Sequence, residues 1–337
     1  SLWLGGLDVN NQLKLAALRY RQVGNDYWPG PLTVDGTAAI DDYTCAQYDK
    51  LYDMSRADVD EFLAYWDDPS SYPGYVISAN IMKWPAHGDT EKGQSYYLAP
   101  FYDRDGDGDY DPQNDGDYPY YDVSNQLCHT KIPTAEGNGI LVDQVIKGDY
   151  TLWWVFNDKG NIHTETSGSP IGVEIRGQAF GFTTNDEVNN MTFYSYEIIN
   201  RSTYRLRETY FCQWVDTDLG YAWDDYVGCD VKRGLGYCYN GTPIDGQGQA
   251  WAYGSQPPAI GVDYFQGPYM DPDGVDNPKF NPVTLENCDV SINGVNFANG
   301  IIDDERFGMR RFVYHNNGGA AYMNDPSVAI DYYNLMK

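Results

Sequence analysis

TLWWVFND (151–158), GVEIRGQAFGF (172–182), NNMTFYSYEIINRS (189–202) and RLRETYFCQWVDTDLG (205–220) follow one another with short polar joints. Each is an alternating or briefly continuous run of β-branched and aromatic residues, and no helical period separates them. A parallel pair of strands needs a long crossover, usually a helix, whereas antiparallel strands do not. Residues 150–220 are therefore read as the core strands of a mainly β, antiparallel, β-sandwich-like fold.

Working outward, residues 2–20 read as a hairpin that turns at Asn10-Asn11. Residues 38–67 are the one convincing helical insertion. Within it, Ser55 with Asp58 resembles a capping box, and Val59, Phe62, Leu63 and Trp66 fall at helical spacing until Pro69. Residues 74–100 look irregular. No solenoid repeat is present, so residues 1–337 are read as one β-rich region. The chain opens on SLWLGGLDV, with no export signal, and ends on AIDYYNLMK. It is read as part of a longer protein. The hairpin looks incomplete and the C-terminal end uncapped, so strand edges are expected to seek partners there.

FYDRDGDGDYDPQNDGDYP (101–119) is the main chemical signal. Asp103, Asp105, Asp107, Asp109, Asp111, Asp115 and Asp117 crowd into one loop punctuated by glycines. So many carboxylates repel one another unless a cation sits among them, and hard oxygen donors at alternate positions suit Ca2+. In an EF-hand-like register Asp103, Asp105 and Asp107 take positions 1, 3 and 5, and Gly108 takes the sharp turn at position 6. Position 12 is Asn114, so the loop is closer to the short Asp-rich loops of dockerin and thrombospondin-type repeats. Asp103, Asp105, Asp107, Asp109, Asp111 and Asp115 are the expected calcium ligands. Three further acidic runs fit either a metal site or an ordinary Asx turn. They are DTDLGYAWDD (Asp216, Asp218, Asp224, Asp225), DPDGVDN (Asp271, Asp273, Asp276, Asn277) and NFANGIIDDE (Asn296, Asn299, Asp303, Asp304, Glu305). The last two could close on one ion.

Composition narrows the classes. Asp and Glu number 49 against 22 Lys and Arg, giving a formal net charge of −27 over 337 residues. Such a surface repels nucleic acid and anionic membranes and attracts divalent cations. A 42% hydrophobic share supports a core, and 31 tyrosines with abundant Gly suit strands joined by elaborate loops. No transmembrane run occurs, so no membrane insertion is expected. The six cysteines form no CxxC pair, which argues against zinc. Cys229 and Cys238 flank a turn-like KRG and are the disulfide candidate, with free thiols the other reading. His87, His129, His163 and His315 show no zinc spacing and default to structural roles. YPYY (118–121) and YTLWW (150–154) could stack on sugars or fill the core.

Several phrases carry a family resemblance: LWLGGLD (2–8), YRQVGNDYWPGPL (20–32), LAPFYDRDGDGDYDPQNDGDYP (98–119), WWVFNDKGNIHTET (153–166), PIGVEIRGQAFGF (170–182), DEVNNMTFYSYEIINRS (186–202), CQWVDTDLG (212–220), DDYVGCDVKRGLGYCYNG (224–241) and PPAIGVDYFQGP (257–268). Together they resemble large secreted Bacteroidota surface proteins, substrates of the type IX secretion system. The resemblance implies export across the outer membrane and an extracellular or cell-surface destination. The type IX export machinery and other copies or parts of a surface assembly would be the partners. The signal peptide and C-terminal sorting domain typical of that group are missing from this sequence.

No nucleophile elbow, phosphate loop or zinc signature marks an enzyme, and carboxylates are too numerous for an acid/base pair to be drawn. The sequence therefore favours a non-enzymatic, calcium-stabilised structural or adhesive module. The alternative is a glycan-binding or glycan-cleaving protein, which an exposed aromatic platform beside an isolated carboxylate pair would favour.

Overall fold

The structure, a computed structural model, describes residues 1–20, 24–121, 145–270, 273–285, 294–315 and 324–337. The fold is mainly β, sandwich-like and antiparallel. The chain divides into two compact units: Ser1–Trp214 with Ser327–Lys337, and Val215–Pro326.

In the first unit the chain forms β1 (Leu2–Leu7), β2 (Leu13–Ala16), β3 (Trp28–Pro29), α1 (Asp42–Tyr48), β4 (Tyr52–Ser55) and α2 (Arg56–Asp67). After these come α3 (Ala79–Met82), β5 (Phe101–Tyr102), β6 (Tyr118–Pro119), β7 (Tyr150–Asn157), β8 (Val173–Gly181), β9 (Phe193–Asn200), β10 (Arg207–Gln213) and, at the end, α4 (Ala329–Met336). One sheet runs β3-β7-β8-β9, with β4 also paired to β7. The second sheet runs β10-β1-β2. The run expected over 205–220 is a strand only at Arg207–Gln213, and it pairs with β1 rather than with its chain neighbour β9. Local pattern cannot specify such a distant pairing.

Alternation along β7 and β8 sets the layers. Phe156 and, opposite it, Ile175 point to one face, where Val173 and Ile175 meet Leu2 and Leu4 of β1 in a buried cluster. That cluster is the sandwich interior. Trp153 and Val155 point to the other face and bury with Met54 of β4 and with Val59 and Phe62 of α2. Burying each of these side chains contributes about 1.5–3 kcal/mol. Across the second sheet, Trp3 and Leu15 pack on Tyr332, Tyr333 and Met336 of α4. Glycine at position 5 lets these side chains close in: a Cβ there would come within 3.0 Å of Leu15 and 3.1 Å of Met336, and their ends would have to shift.

Two local expectations change. The 38–67 segment is not wholly helical, since β4 interrupts it and joins the first sheet. Ser55 ends that strand and caps α2 by accepting from the Asp58 N–H at 3.0 Å, which is the N-cap half of the expected capping box. At the two ends of the chain the hairpin strand β2 is an outer strand of its sheet, whereas β1 is not. β1 is a central strand paired on both sides, and AIDYYNLM is a helix rather than a loose end. Asp331 holds the start of α4 by accepting from the backbone N–H groups of Ser327 and Val328.

The second unit holds β11 (Asp225–Asp230), β12 (Leu235–Asn240), β13 (Ile244–Asp245), β14 (Gly254–Ser255) and β15 (Ala259–Asp263). β11-β12-β15 is an antiparallel sheet and β13-β14 a short pair. The Cys229–Cys238 disulfide is corrected here. Both residues lie on the paired strands β11 and β12, but Cys229 faces Gly236 and Cys238 faces Val227, and both thiols are free. The register is two residues off for a bridge, which leaves the cysteines diagonal to each other. Cys128 and Cys288 lie outside the described residues.

Candidate metal centre

The 101–119 loop is closed at its base by β5 and β6, with Tyr102 opposite Tyr118 and the two rings stacked 5.1 Å apart. Gly106 and Gly108 adopt φ of +79° and +92°, the left-handed region where a side chain is strained. Gly108 occupies the expected sharp-turn position. Around these turns the Asp103 carboxylate accepts from the Gly106 N–H at 2.7 Å and from the Gly108 N–H at 2.9 Å. Asp105 accepts from the Asp107 N–H, and Asp107 from the Asp109 N–H. Tight turning on every second residue brings Asp103, Asp105 and Asp107 together, with one oxygen of each within 4.8 Å of the others.

The other expected ligands have different places. Asp109 accepts from the Tyr96 hydroxyl. Asp111 anchors the next turn, accepting from the N–H groups of Gln113 and Asn114 and from the Asn114 side chain, which holds its carboxyl below the ordinary range. Asp115 makes no such bond among the described residues. Its carboxyl is pushed up by desolvation and then by the charges of Asp105, Asp111, Asp107 and Asp103. Asp115 therefore shares the field of the three convergent carboxylates. Asp117, which the sequence reading left out of the ligand set, is fully buried and ties the loop shut. It accepts from the Arg104 N–H at 2.8 Å and the Asp111 N–H at 2.9 Å.

His87 is a neighbour that the sequence did not place. Its Nδ1 donates to the Tyr96 carbonyl oxygen at 3.0 Å, and its ring stacks on Tyr96 at 4.1 Å. Burial pulls the imidazole down, against the opposing charges of Asp109, Asp103 and Asp107.

The weaker candidates sit in the second unit as backbone-binding carboxylates. Asp225 accepts from the Leu219 N–H, and Asp224 from the Gly246 N–H. Asp245, from outside the predicted run, accepts from the N–H groups of Tyr221 and Tyr253. The Asp225 carboxyl is pushed up by burial and then by Asp224, Asp245 and Asp218. Asp216 is also pushed up, by burial first and then by Asp218 and Asp325. The third and fourth runs do meet, but through hydrogen bonds. Asp303 accepts from the N–H groups of Asp273 and Gly274, Asp276 from Gly300, and Glu305 from Asn277. Asp304 accepts from the Asn299 side chain. Asp271 lies outside the described residues. Among the described residues, Asp103, Asp105 and Asp107 alone bring three potential ligand oxygens together.

One aromatic surface stands out in the second unit. Tyr226 lies opposite Tyr239, and Gly228 opposite Tyr237, so the three tyrosines share one face of the sheet. Successive rings are 6.2 and 6.1 Å apart, and all three are exposed. The Tyr237 ring lies over Gly228, where a Cβ would come within 2.6 Å of it.

No family model matches this sequence, and no curated protein or solved structure matches it either. Among the described residues, no helix is long and apolar enough to cross a membrane.

Proposed function

We propose that this chain is a calcium-stabilised structural or adhesive module of the cell surface, exported by type IX secretion and built into an assembly with other copies or parts. The convergence of Asp103, Asp105 and Asp107 carries the calcium half of this reading. Three carboxylate oxygens on a loop turned by glycines give a hard cation a ready donor set, and backbone or water oxygens complete such shells. Asp115 supports the same reading, because a cation would relieve the repulsion that pushes its carboxyl up. Export rests on the sequence resemblance. Attachment draws support from β9, the outer strand of its sheet, which exposes Tyr194 and Ile198. Limited proteolysis with calcium and with a chelator tests the stabilising role: calcium should protect the 101–119 loop. Cleavage at the same rate in both conditions would end this reading.

The Tyr226–Tyr239–Tyr237 face favours a second reading, a glycan-binding module. Flat aromatic rings in a row on a rigid sheet suit the apolar faces of sugar rings. Retention on neutral polysaccharide gels that falls in Tyr237→Ala and Tyr239→Ala would support it. Equal mobility of all three proteins on every gel would remove it.

A further inference from the structure

β9 lacks the devices that normally protect the edge of a sheet. Outer strands are usually short, bulged, or marked by Lys or Pro, which stops other chains from pairing with them. β9 runs as FYSYEIIN, without Lys, Pro or Gly. Its register with β8 is continuous from Phe193 to Asn200. The other outer strands of the two sheets are protected. β3 and β4 have two and four residues, and β3 ends at Pro29. β2 has four, and its Leu15 N–H is taken by the Ser169 carbonyl. β10 is irregular, with Glu208 at φ +45° and a register shift against β1.

The backbone of that edge is open. Arg201 donates its N–H to the Gly172 carbonyl oxygen. Bonded pairs alternate from there, so Ile199, Glu197, Ser195 and Phe193 turn their N–H and C=O groups to β8. Tyr194, Tyr196 and Ile198 turn theirs outward, and among the described residues no backbone bond reaches them. Their side chains share one face. Ile198 lies opposite Ile175, which is buried in the sandwich interior, so this is the interior face. The facing sheet is three strands wide, and Tyr194 and Ile198 remain 60% and 39% exposed on that face. The edge therefore offers both free main-chain groups and uncovered apolar side chains.

We infer that β9 pairs antiparallel with β9 of a second copy of this chain, with Tyr196 on the two-fold axis. The inference rests on the attachment reading above and names its partner. In this register Tyr194 faces Ile198 of the second copy, Ile198 faces its Tyr194, and the two Tyr196 residues face each other. All are positions with outward N–H and C=O groups, so each pair exchanges both of its backbone bonds. The pairs also join aromatic and β-branched side chains, which stabilise adjacent strands. The charges fit the same register. Glu197, the one charge on β9, lies 3.6 Å from Arg176 of β8 and meets Ser195 of the second copy. A register centred on Glu197 would set two carboxylates face to face. The contact is smaller than the ~20–30 residues a side of a stable interface. Pairing is therefore weak in solution and is reinforced where copies are held side by side. The net charge of −27 on each copy opposes it, so added salt strengthens it.

Sedimentation equilibrium of the intact chain, up to millimolar concentration and at low and high salt, tests this. The wild type should form dimers that gain population with salt. Tyr194→Lys/Ile198→Lys sets lysines opposite each other across the axis and should weaken the dimer about tenfold or more. Tyr194→Glu/Ile198→Glu should do the same. Mixing the two variants sets Lys opposite Glu and should restore dimers, which also shows that both variants are folded. A wild type that stays monomeric throughout would overturn the inference. So would dimers that neither variant weakens, or a mixture that stays monomeric. Each of these results leaves attachment through another surface, or to a different protein, untouched.

Discussion

Among its described residues, the first unit buries three apolar clusters, built around Trp153 and Phe62, around Trp3 and Leu15, and around Val173 and Ile175. Among its described residues, the second unit buries only Leu219, Cys238 and Pro326 of its apolar side chains, while Trp223, Trp251 and Phe265 stand exposed. Its turns are held instead by carboxylates that accept from backbone N–H groups, such as Asp225, Asp245 and Asp303. The same acidic composition thus serves two building methods. In the first unit apolar layers fix the fold, and carboxylates such as Asp26 and Asp158 add bonds to backbone N–H groups beside them. In the second, carboxylate–backbone bonds take over part of the work of a core. A hydrogen bond to a charged group contributes about 1.5–3 kcal/mol, comparable to one buried large side chain.

The contrast can be broken at either end. Trp153→Ala empties the centre of the largest cluster and should cost about 3–5 kcal/mol. In calorimetry it should lower the transition of the first unit and leave that of the second in place; movement of both together would mean that the units do not melt separately. Asp245→Asn is the matching lesion in the second unit. It sets an amide NH2 against the N–H of Tyr221 or Tyr253, and should cost about 1–3 kcal/mol in the second unit's transition. A negligible loss would show that backbone anchoring matters little there.

Asp115→Asn should have the smallest effect, of opposite sign. A carboxyl raised in the folded state binds protons more tightly than its unfolded counterpart, so at neutral pH its charge opposes folding. That opposition fades as pH falls through its folded value. The variant should therefore melt slightly higher than the wild type in calcium-free buffer at pH 7, and the gain should vanish on acidification. A variant less stable at pH 7 would contradict the crowding argument.

Much of this was legible because it is local. The runs at 151–158, 172–182 and 189–202 announce β7, β8 and β9, and Ser55 with Asp58 announces the start of α2. The convergence of Asp103, Asp105 and Asp107 follows from their spacing and from the glycine at 108. What the sequence hid depends on distance or on short pieces. YDMS is too short to show a period, so β4 was lost inside a helical segment. The pairing of β10 with β1 joins Arg207–Gln213 to Leu2–Leu7, some of the most distant stretches of the first unit's continuous segment Ser1–Trp214. The buried His163 ring meets the Leu15 carbonyl oxygen, 148 residues away, and no local pattern encodes that meeting. Cys229 and Cys238 fail as a pair by register, which a turn alone does not specify.

The central claim is that Asp103, Asp105 and Asp107 hold calcium. Isothermal titration of the calcium-free protein, beside the Asp103→Asn/Asp105→Asn/Asp107→Asn variant, tests it most directly. The account predicts saturable heat in the wild type with a rise in melting temperature, and loss of that binding step in the variant. A wild type that gives no saturable heat, or a variant that binds calcium with the same stoichiometry and affinity, would contradict it.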